Sequence, residues 1–524
     1  MRDKSAPPDD GPRRYRAPVR SGARKWLTPA AWVAAVAAVL LLLFPLGFPN
    51  YDTIYSLLWG TELAEGLSPD RGAALPPTPH PLAELFGLVT TPLDDGAIDL
   101  TMVVAYVSLG LVGYLVYRLG SLWFDRPIGA VAALIVLTRA PYLSNGLRAY
   151  VDLPYIALVL AALVLETRRP RAGWPVLALL ALAGLLRPEA WLFSFAYLAY
   201  LTLDLERFRQ RRPEEGVGMP LERADIQNAG LIRPAFVRAR GIPTPSPLVV
   251  LAFAAPIAWA LFDWITAGSP TYSFTGTRET VETLERQTGP VDLLLYGPRR
   301  LGEVLQWPGM VGAVGGVLLG LAFLRRRSTI GVVAAALALG AFAVLACAGL
   351  AIIPRYTMLA AAIFAVFAAL ALLGWRLLED GHRWRRAWQA FAALVVLMFV
   401  LWGPNQYDLL SRVDADLTNQ SEIESDLNDL AGSGAFEPLC LPISVPNHRA
   451  VPRLAFDLDV RPSQIVSSSE QRQPRRGYFL DPSGPFVVYN FVLDPNDPAR
   501  LATPVPAGFR KVSGNESWVL YRNC

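Results

Sequence analysis

The chemically richest stretch of the sequence lies directly behind its first long apolar run. Asp52, in Asn50-Tyr51-Asp52-Thr53, follows that run, and Pro79-His80-Pro81-Leu82 stands in the same stretch. A carboxylate on the last turn of a membrane helix is costly to bury, so Asp52 is a candidate functional group. The alternative is a carboxylate that only marks a helix end in water, and position alone favours neither interpretation.

Further ionisable side chains stand at the ends of later apolar runs. If the chain crosses a membrane, these groups reach the same outer boundary as Asp52, although they lie far apart in sequence. Charges at that depth pair with one another or line a water-filled cavity. Ordinary helix-end charges explain any one of them but account poorly for the whole set. The set comprises Arg148, Asp152, Arg187, Glu189, Asp263, Arg355 and Tyr356.

The side-chain types at this boundary suit chemistry on a lipid-linked phosphate. Arginine with histidine or tyrosine can hold a phosphate, and a carboxylate held apart from them can act as a general base. Transfer of a sugar from a polyprenyl phosphate to a hydroxyl needs both, because positive groups stabilise the departing phosphate. A nucleotide-sugar donor is excluded, since the candidates face outward and no cytoplasmic loop could bind a nucleotide.

The composition places the chain among polytopic membrane proteins. Of its 524 residues, 53% are hydrophobic and 18% are charged, which is typical of a membrane protein rather than a soluble enzyme. No basic patch with interleaved aromatic residues is present, so nucleic acid is not an expected partner. The first apolar run does not end at a small-residue cleavage site, which favours a retained span over a signal peptide.

The apolar runs predict a mostly α protein with about eleven transmembrane helices. A basic, Pro-rich tail at 1–26 is expected to be disordered and cytoplasmic, and positive residues in the later cytoplasmic loops agree with that orientation. Loop 50–97 is then the first outer loop, and 205–245 is a cytoplasmic loop. The predicted spans are 27–49, 98–117, 127–143, 150–166, 172–187, 189–204, 246–267, 309–324, 329–353, 355–376 and 386–403.

Two segments of the first outer loop predict amphipathic helices in the membrane interface. Tyr51, Tyr55 and Trp59 share one face of 51–65, and apolar residues repeat at helical spacing in 82–89. Aromatic residues of this kind favour the headgroup level of a bilayer. The loop is therefore expected to shape a cavity that opens sideways to lipid.

Residues 404–524 predict a small α/β extracytoplasmic domain. A polar helix is expected at 411–432, because its apolar residues fall on one face. Cys440 and Cys524 both lie in this segment, and outside the cell a disulfide between them is favoured over two free thiols. His448, among prolines, is interpreted as a surface residue. Strands are expected at 438–443, 463–467, 485–493 and 516–522, with a closing hairpin over 511–518.

Several short motifs together resemble the GT-C superfamily of integral-membrane glycosyltransferases. The superfamily includes protein O-mannosyltransferases, aminoarabinose transferases and actinobacterial arabinosyl- and mannosyltransferases. The resemblance covers 27–403 and implies an inverting glycosyltransferase of the plasma membrane, active in cell-envelope or cell-wall biogenesis. It implies a polyprenyl-phosphate sugar donor and an extracytoplasmic acceptor as partners. The motifs are Asp52, Gly66 and Pro69, Pro79-His80-Pro81-Leu82, Arg187-Pro188-Glu189 and Pro354-Arg355-Tyr356.

Carried over by position, the resemblance implies roles for individual residues. Asp52 would be the catalytic base and Asp152 a second acidic residue of the outer face. His80 and Arg355 would lie near the donor phosphate. The family often pairs two acids at the first position, but here Asp52 is followed by Thr53, so a divalent metal ion stays open and no cofactor is assigned. The remaining candidates are Tyr356 and Arg148 for donor binding, with Arg187 and Glu189 in support.

Two other functional classes compete with the enzyme. A transporter or flippase for a lipid or sugar should place charges near the bilayer midplane and show repeated halves, whereas these charges gather at one boundary. A non-catalytic envelope scaffold predicts that Asp52 is dispensable. Asp263-Trp264 is favoured as an interfacial anchor over a donor contact, and His382 as part of a cytoplasmic basic interface. The sequence identifies neither the sugar nor the acceptor.

Overall fold

The computed structural model describes residues 23–44, 47–203, 247–492 and 505–524. The predicted loop at 205–245 and all but the end of the predicted tail at 1–26 lie outside these residues. The helices are α1 Ala23–Leu43, α2 Tyr51–Ala64, α3 Pro81–Thr90, α4 Gly96–Trp123, α5 Arg126–Leu137, α6 Ala140–Leu147, α7 Asp152–Arg168, α8 Trp174–Leu186, α9 Glu189–Thr202, α10 Pro247–Ala267, α11 Tyr272–Thr283, α12 Gly289–Phe323, α13 Arg325–Cys347, α14 Met358–Leu373, α15 Arg385–Leu401, α16 Gly403–Gly432 and α17 Val451–Asp457.

Each predicted apolar run falls on a helix, but the predicted number of spans is not reproduced. Within the described ranges, five helical segments are long and apolar enough to cross a membrane, or seven if two bent pairs each count as one. α7, α8 and α9 have only 17, 13 and 14 residues, fewer than the roughly 20 that a straight span needs. The protein is a multi-pass membrane protein.

The predicted span at 127–143 consists of two short helices, α5 and α6, that meet at 63°. Pro141 stands in the first turn of α6. Its ring would clash with the carbonyl of Leu137 in a continuous helix, and it has no N–H to donate. The helix therefore ends at Leu137, and the chain turns before α6 begins. This break brings the loop after α6 toward the candidate site.

Close packing at the centre of the helical region depends on glycines of α12. α14 is buried along nearly its whole length. A Cβ on Gly316 would lie 1.8 Å from the carbonyl oxygen of Phe367, and one on Gly312 would lie 3.3 Å from the Cβ of Ala368. Small residues at near-helical spacing let two helix backbones approach this closely.

α2 is a separate helix, which corrects the expectation that Asp52 ends the first span. α1 ends at Leu43, and the side chain of Asn50 caps α2 by accepting hydrogen bonds from the backbone N–H groups of Asp52 and Thr53. An asparagine at this position satisfies N–H groups that a helix start leaves unpaired. Asp52 therefore lies in the first turn of α2.

The aromatic face of α2 packs into protein rather than facing a bilayer interface. Tyr55 and Trp59 are almost fully buried, in the same apolar cluster as Ile443, Tyr478 and Trp518 of the C-terminal segment. The prediction of two helices in the first loop is correct, but headgroup-level placement of the α2 aromatic residues is wrong. Burial against the C-terminal segment removes more apolar surface from water than an interfacial position would.

The C-terminal segment forms a five-stranded sheet with the order β2-β1-β3-β5-β4. β1 pairs in parallel with both β2 and β3, while β5 is antiparallel to β3 and β4. The predicted hairpin near 511–518 is confirmed as β4 and β5, and a disulfide joins Cys440 to Cys524. The strands are β1 Ile443–Val445, β2 Ile465–Ser467, β3 Gly477–Pro482, β4 Arg510–Gly514 and β5 Trp518–Asn523.

The strands of this segment differ from the prediction in three places. Of the strand expected at 438–443, only Ile443 belongs to a strand, β1. β3 was not predicted, and the stretch expected to be a strand at 485–493 is helical through Val492. Pro485 stands in the first turn of that helical stretch, where its missing N–H has no cost. The polar helix expected at 411–432 is the second part of α16, and its apolar face is buried as predicted.

Candidate active site

An ion pair joins the first turn of α2 to the start of α14. Arg355, in the short 3₁₀ turn Pro354–Thr357, donates from Nη1 to Oδ2 of Asp52 at 3.0 Å. The side chains of Asp52 and Arg355 are 21% and 24% exposed, so both reach open space. The guanidinium carbon of Arg355 lies 5.4 Å from the ring centre of Tyr150 and 5.5 Å from that of Tyr356. These rings hold the guanidinium by cation–π attraction.

Arg187 neutralises two buried carboxylates beside this pair. Its Nη2 lies 3.1 Å from Oδ1 of Asp152 and 3.2 Å from Oε1 of Glu189, and all three side chains are buried. Its guanidinium carbon lies 4.5 Å from the ring centre of Tyr356, whose neighbour is Arg355. Buried carboxylates need such a partner because desolvation of an unpaired charge is costly. The Arg187-Pro188-Glu189 motif thus places one buried cation at the break between α8 and α9.

His80 lies at the N-cap of α3 and is buried. Burial, together with the nearby positive charge of Arg187, lowers its pKa to about 3. The imidazole is therefore neutral at physiological pH. Its ring meets that of Trp259 edge-on, with centres 5.9 Å apart. A neutral imidazole carries a single N–H, and the ring of His80 is hydrogen-bonded to the backbone of Leu186.

One chamber of about 900 Å³ connects these groups. Its wall includes the starts of α2 and α3, the α8–α9 break, the 3₁₀ turn before α14, and part of the C-terminal sheet segment. Asp152 is not in the wall and lies behind Arg187, to which it is paired. Arg148 is in the wall, and its Nε and Nη2 donate to Oε1 of Gln420 in α16. The predicted residues that line the chamber are Asp52, His80, Arg148, Arg187, Glu189, Arg355 and Tyr356.

Three buried nitrogen atoms of these side chains have no hydrogen-bond partner among the described residues. They are Nε of Arg355, Nε of Arg187 and Nδ1 of His80. Buried polar groups in proteins are nearly always hydrogen-bonded, so each such atom needs an explanation. Arg355, Arg187 and His80 line the same chamber, and a phosphate ester can accept several charge-assisted hydrogen bonds from arginine side chains at once.

Asp263 belongs to a different cluster. It accepts hydrogen bonds from N and Oγ of Ser273, at 2.8 and 2.7 Å, and does not line the chamber. Its neighbour Trp264 is 61% exposed, as expected for an anchor. The sequence grouped Asp263 with the other boundary charges because depth in the membrane can be read from sequence, whereas the direction of a side chain cannot.

The C-terminal segment supplies part of the chamber wall, which the sequence did not predict. His448 lines the chamber, and its ring meets that of Tyr51 edge-on, with centres 5.4 Å apart. The interpretation of His448 as a surface residue is therefore wrong. Arg449, Tyr489 and Asn490 line the same wall. No motif marks these residues, and only the packing of α2 against the sheet brings them to the chamber.

The three carboxylates predicted for the site, Asp52, Asp152 and Glu189, do not suit a metal ion. Asp52 is paired with Arg355, while Asp152 and Glu189 share Arg187. A divalent ion binds to oxygen ligands that are free of competing cations. Within the ranges that the structure describes, no three His, Cys, Asp or Glu side chains form a group that could hold a metal ion.

No protein-family model matches the sequence, and no curated protein matches it either. Among solved structures, the chain is similar to ArnT from Cupriavidus metallidurans bound to undecaprenyl phosphate, with a TM-score of 0.52 and 14% identity. That similarity covers 96% of this chain and 98% of ArnT. An Archaeoglobus fulgidus oligosaccharyltransferase in the apo form has a TM-score of 0.45 and 11% identity, over 84% of this chain and 65% of that one.

The similarity to ArnT shows that the chain has the GT-C fold that its motifs predicted. The similarity to ArnT extends over 96% of the chain, whereas the motifs indicated a resemblance over 27–403 alone. The C-terminal sheet segment is therefore part of the shared architecture rather than an unrelated addition.

Proposed function

We propose that the protein is an inverting glycosyltransferase that moves a sugar from a polyprenyl-phosphate donor to a hydroxyl group of an extracytoplasmic acceptor. One observation carries the proposal. A single chamber is lined by the Asp52 carboxylate, by the guanidinium groups of Arg355 and Arg187, whose Nε atoms have no hydrogen-bond partner among the described residues, and by the neutral imidazole of His80. The structure of ArnT contains undecaprenyl phosphate, which supports a lipid phosphate as the ligand of these donors.

The donor phosphate competes with Asp52 for Arg355. In the ion pair, Nη1 of Arg355 is engaged by the carboxylate, while its Nε has no partner among the described residues. A phosphate in the chamber accepts hydrogen bonds from this guanidinium and draws it away from Asp52. Binding of the donor therefore frees the carboxylate to act as a base. His80, being neutral, adds no charge to the wall beside these arginines.

The charge of the wall also suits an anionic donor. Seven arginines and five carboxylates line the chamber. Arg187 is already balanced by Asp152 and Glu189, so it contributes a directed N–H group more than a net charge. Arg355 is the cation nearest to the carboxylate that is proposed to react. It is therefore the residue best placed to stabilise the negative charge that develops on the departing phosphate.

The transfer step uses Asp52 as general base. The acceptor oxygen attacks C1 of the sugar and forms the new glycosidic bond, while Asp52 takes the hydroxyl proton. The bond between C1 and the phosphate oxygen breaks, and its electron pair leaves with the polyprenyl phosphate. Attack on the face opposite the leaving group inverts the configuration at C1. A phosphate leaves readily as an anion, so no general acid is needed.

The proposed location is the plasma membrane, with the N-terminus cytoplasmic and the chamber on the outer side. The distribution of positive residues along the sequence supports this orientation. The proposed division of the chain is a cytoplasmic tail at 1–26, a GT-C transmembrane domain at 27–403 and an extracytoplasmic α/β domain at 404–524. A cell-envelope glycan, lipid or protein is then accessible as acceptor.

The proposal is tested by incubating the purified protein with a panel of polyprenyl-phosphate sugars and measuring released polyprenyl phosphate. Wild type is expected to release it from at least one donor, and Asp52→Asn is expected not to do so while remaining folded. Equal release by both proteins would remove Asp52 from the reaction. No release and no binding of undecaprenyl phosphate by wild type would overturn the proposed function.

A further inference from the structure

The carboxyl ends of the parallel strands in the C-terminal sheet face the chamber. β1 lies between β2 and β3 and is parallel to both. The chain continues from β1 through α17 to β2, which lies on one side of β1, whereas the strand that follows β3 is β4, which lies on the other side. In open α/β sheets, the point where successive connections diverge forms a crevice at the carboxyl ends of the strands, and ligands bind there. Here that point lies between β1 and β3.

Residues from both sides of this crevice line the chamber. His448 and Arg449 follow β1, while Tyr489 and Asn490 follow β3. The side chain of Tyr489 is 72% exposed, although the neighbouring residues Asn490 and Phe491 form part of the chamber wall. The mouth of the crevice and the chamber are therefore one continuous space, with hydrogen-bonding groups and an aromatic ring on the sheet side.

His448 is held by a carboxylate from the neighbouring strand. Its Nδ1 lies 3.2 Å from Oε1 of Glu470, and Glu470 follows β2. The hydroxyl of Ser467 donates a hydrogen bond to the same carboxylate. A carboxylate at Nδ1 favours the imidazole tautomer with its proton on that atom, which leaves Nε2 as a hydrogen-bond acceptor. Glu470 thus fixes both the ring and its hydrogen-bonding role.

His448 also lies close to the reacting groups. Its ring contacts that of Tyr51, the residue before Asp52, and the Tyr51 hydroxyl donates to the carbonyl of Leu75 at 3.0 Å. The proposed reaction assigns roles to Asp52, Arg355, Arg187 and His80 but leaves this histidine unused. A partly exposed, oriented imidazole in the wall of the chamber is a candidate ligand-binding group.

We propose that the carboxyl edge of the C-terminal sheet is the acceptor-binding wall of the chamber, and that the acceptor is a glycan. His448, oriented by Glu470, accepts a hydrogen bond from one acceptor hydroxyl while Asp52 takes the proton of another. The inference rests on the proposed glycosyl transfer. A glycan fits this wall because it presents several hydroxyls to polar side chains and an apolar ring face to Tyr489. A lipid acceptor would require an apolar groove instead.

The test measures transfer kinetics to octyl glycosides in full-length protein reconstituted in nanodiscs. The donors are the panel of polyprenyl-phosphate sugars, and the acceptors are octyl α-mannoside, octyl β-glucoside and octyl β-galactoside. A serine peptide and a lipid alcohol without a sugar serve as comparison acceptors. His448→Ala is expected to raise KM for the glycoside at least tenfold, with a smaller change in kcat. His448→Gln should recover most of that loss, because an amide oxygen can accept the same hydrogen bond. His382→Ala, which removes a histidine remote from the chamber, should match wild type.

Two further measurements keep the outcomes distinct. The Tm shows whether the His448 variants are folded. The Kd for undecaprenyl phosphate shows whether their donor-binding residues are intact. An unchanged glycoside KM in folded His448→Ala would overturn the acceptor assignment alone. Release of undecaprenyl phosphate by wild type without transfer to any glycoside, or transfer only to a serine peptide or a lipid, would overturn it as well. Absence of both release and binding would overturn the proposed function and this inference together.

Discussion

The guanidinium of Arg355 lies 3.0 Å from the carboxylate of Asp52, although 303 positions separate the two residues in sequence. The pair joins the first outer loop of the predicted topology to the start of α14. The ion pair also keeps Asp52, the proposed catalytic base, engaged with Arg355 before the donor binds. A donor that captures Arg355 removes this restraint, which couples phosphate binding to activation of the carboxylate.

Asp52→Asn is expected to lower the rate of transfer by about 10²- to 10⁴-fold, the usual contribution of a general base. The amide keeps the shape of the side chain but cannot take a proton. Single-turnover release of polyprenyl phosphate measures the effect. Glu65→Gln, an exposed carboxylate at the other end of α2, is the matched control and should retain the wild-type rate. Comparable losses in both variants would contradict a specific role for Asp52.

The same Asp52→Asn variant is expected to bind undecaprenyl phosphate more tightly, by roughly tenfold. The phosphate no longer competes with a carboxylate for Arg355, and one charge-assisted hydrogen bond corresponds to about that factor. Arg355→Lys should weaken binding, because lysine lacks the unpartnered Nε and the planar fork of donors. Titration of each variant with undecaprenyl phosphate gives Kd. Weaker binding by Asp52→Asn would rule out competition between phosphate and carboxylate.

Arg187→Met is expected to destabilise the fold by about 3–5 kcal/mol, because it leaves Asp152 and Glu189 buried without a cation. Adding Asp152→Asn and Glu189→Gln to this variant should restore much of the loss. Thermal unfolding in detergent measures both steps. Arg299→Met is the control, since Arg299 forms an exposed pair with Glu303 and such pairs contribute little. Equal Tm values for the two arginine variants would show that the buried cluster is not structural.

Glu84→Gln is expected to flatten the dependence of stability on pH. Burial raises the pKa of Glu84 to about 7, although Arg71 opposes this shift. Between the unfolded pKa near 4.5 and the folded pKa near 7, the folded state holds a proton that the unfolded state has lost. Wild-type stability attributable to Glu84 therefore falls as pH rises through that window, by on the order of 3 kcal/mol.

Tm measured at pH 5, 6, 7 and 8 tests this expectation for Glu84. The stability of Glu84→Gln relative to wild type should rise across the series and level off above pH 7, because glutamine cannot ionise. Glu65→Gln, which alters an exposed carboxylate, should follow wild type throughout. A constant difference between Glu84→Gln and wild type would show that Glu84 does not bind a proton in this range.

Gly60→Ala is expected to lower both stability, by about 1–3 kcal/mol, and the rate of transfer. A Cβ on Gly60 would lie 2.4 Å from the backbone carbon of Gly87, so α2 and α3 would have to separate. His80 begins α3 and Asp52 begins α2, so separation changes their spacing. Gly276→Ala, on open helix surface, is the control. Wild-type Tm and turnover in Gly60→Ala would show that the helix crossing tolerates the added methyl group.

Residues marked by short local motifs were predictable from sequence. Asp52, His80, Arg187 and Arg355 each stand beside a proline or at the start of a helix, where backbone chemistry restricts the choice of residue. Membrane depth, read from apolar runs, indicated that these groups share a boundary. The structure brings all four to one chamber.

Features that depend on long-range packing were not predictable. The apolar run at 127–143 has the composition of one span, and only the geometry at Pro141 divides it. The aromatic face of 51–65 fits a bilayer interface and a protein core equally well, because both exclude water from the rings. His448 reaches the chamber through the arrangement of three strands, which no local pattern in its own segment records.

The burial of α2 against the C-terminal sheet has a consequence for biosynthesis. The ribosome makes the helix that carries Asp52 early, whereas its partners Tyr478 and Trp518 follow near the end of synthesis. Tyr55 and Trp59 therefore lack their final neighbours while most of the polypeptide is being inserted. Assembly of the chamber is consequently a post-insertion event, so a chain stalled before β1 holds the Asp52 carboxylate on a helix that lacks the sheet against which it packs.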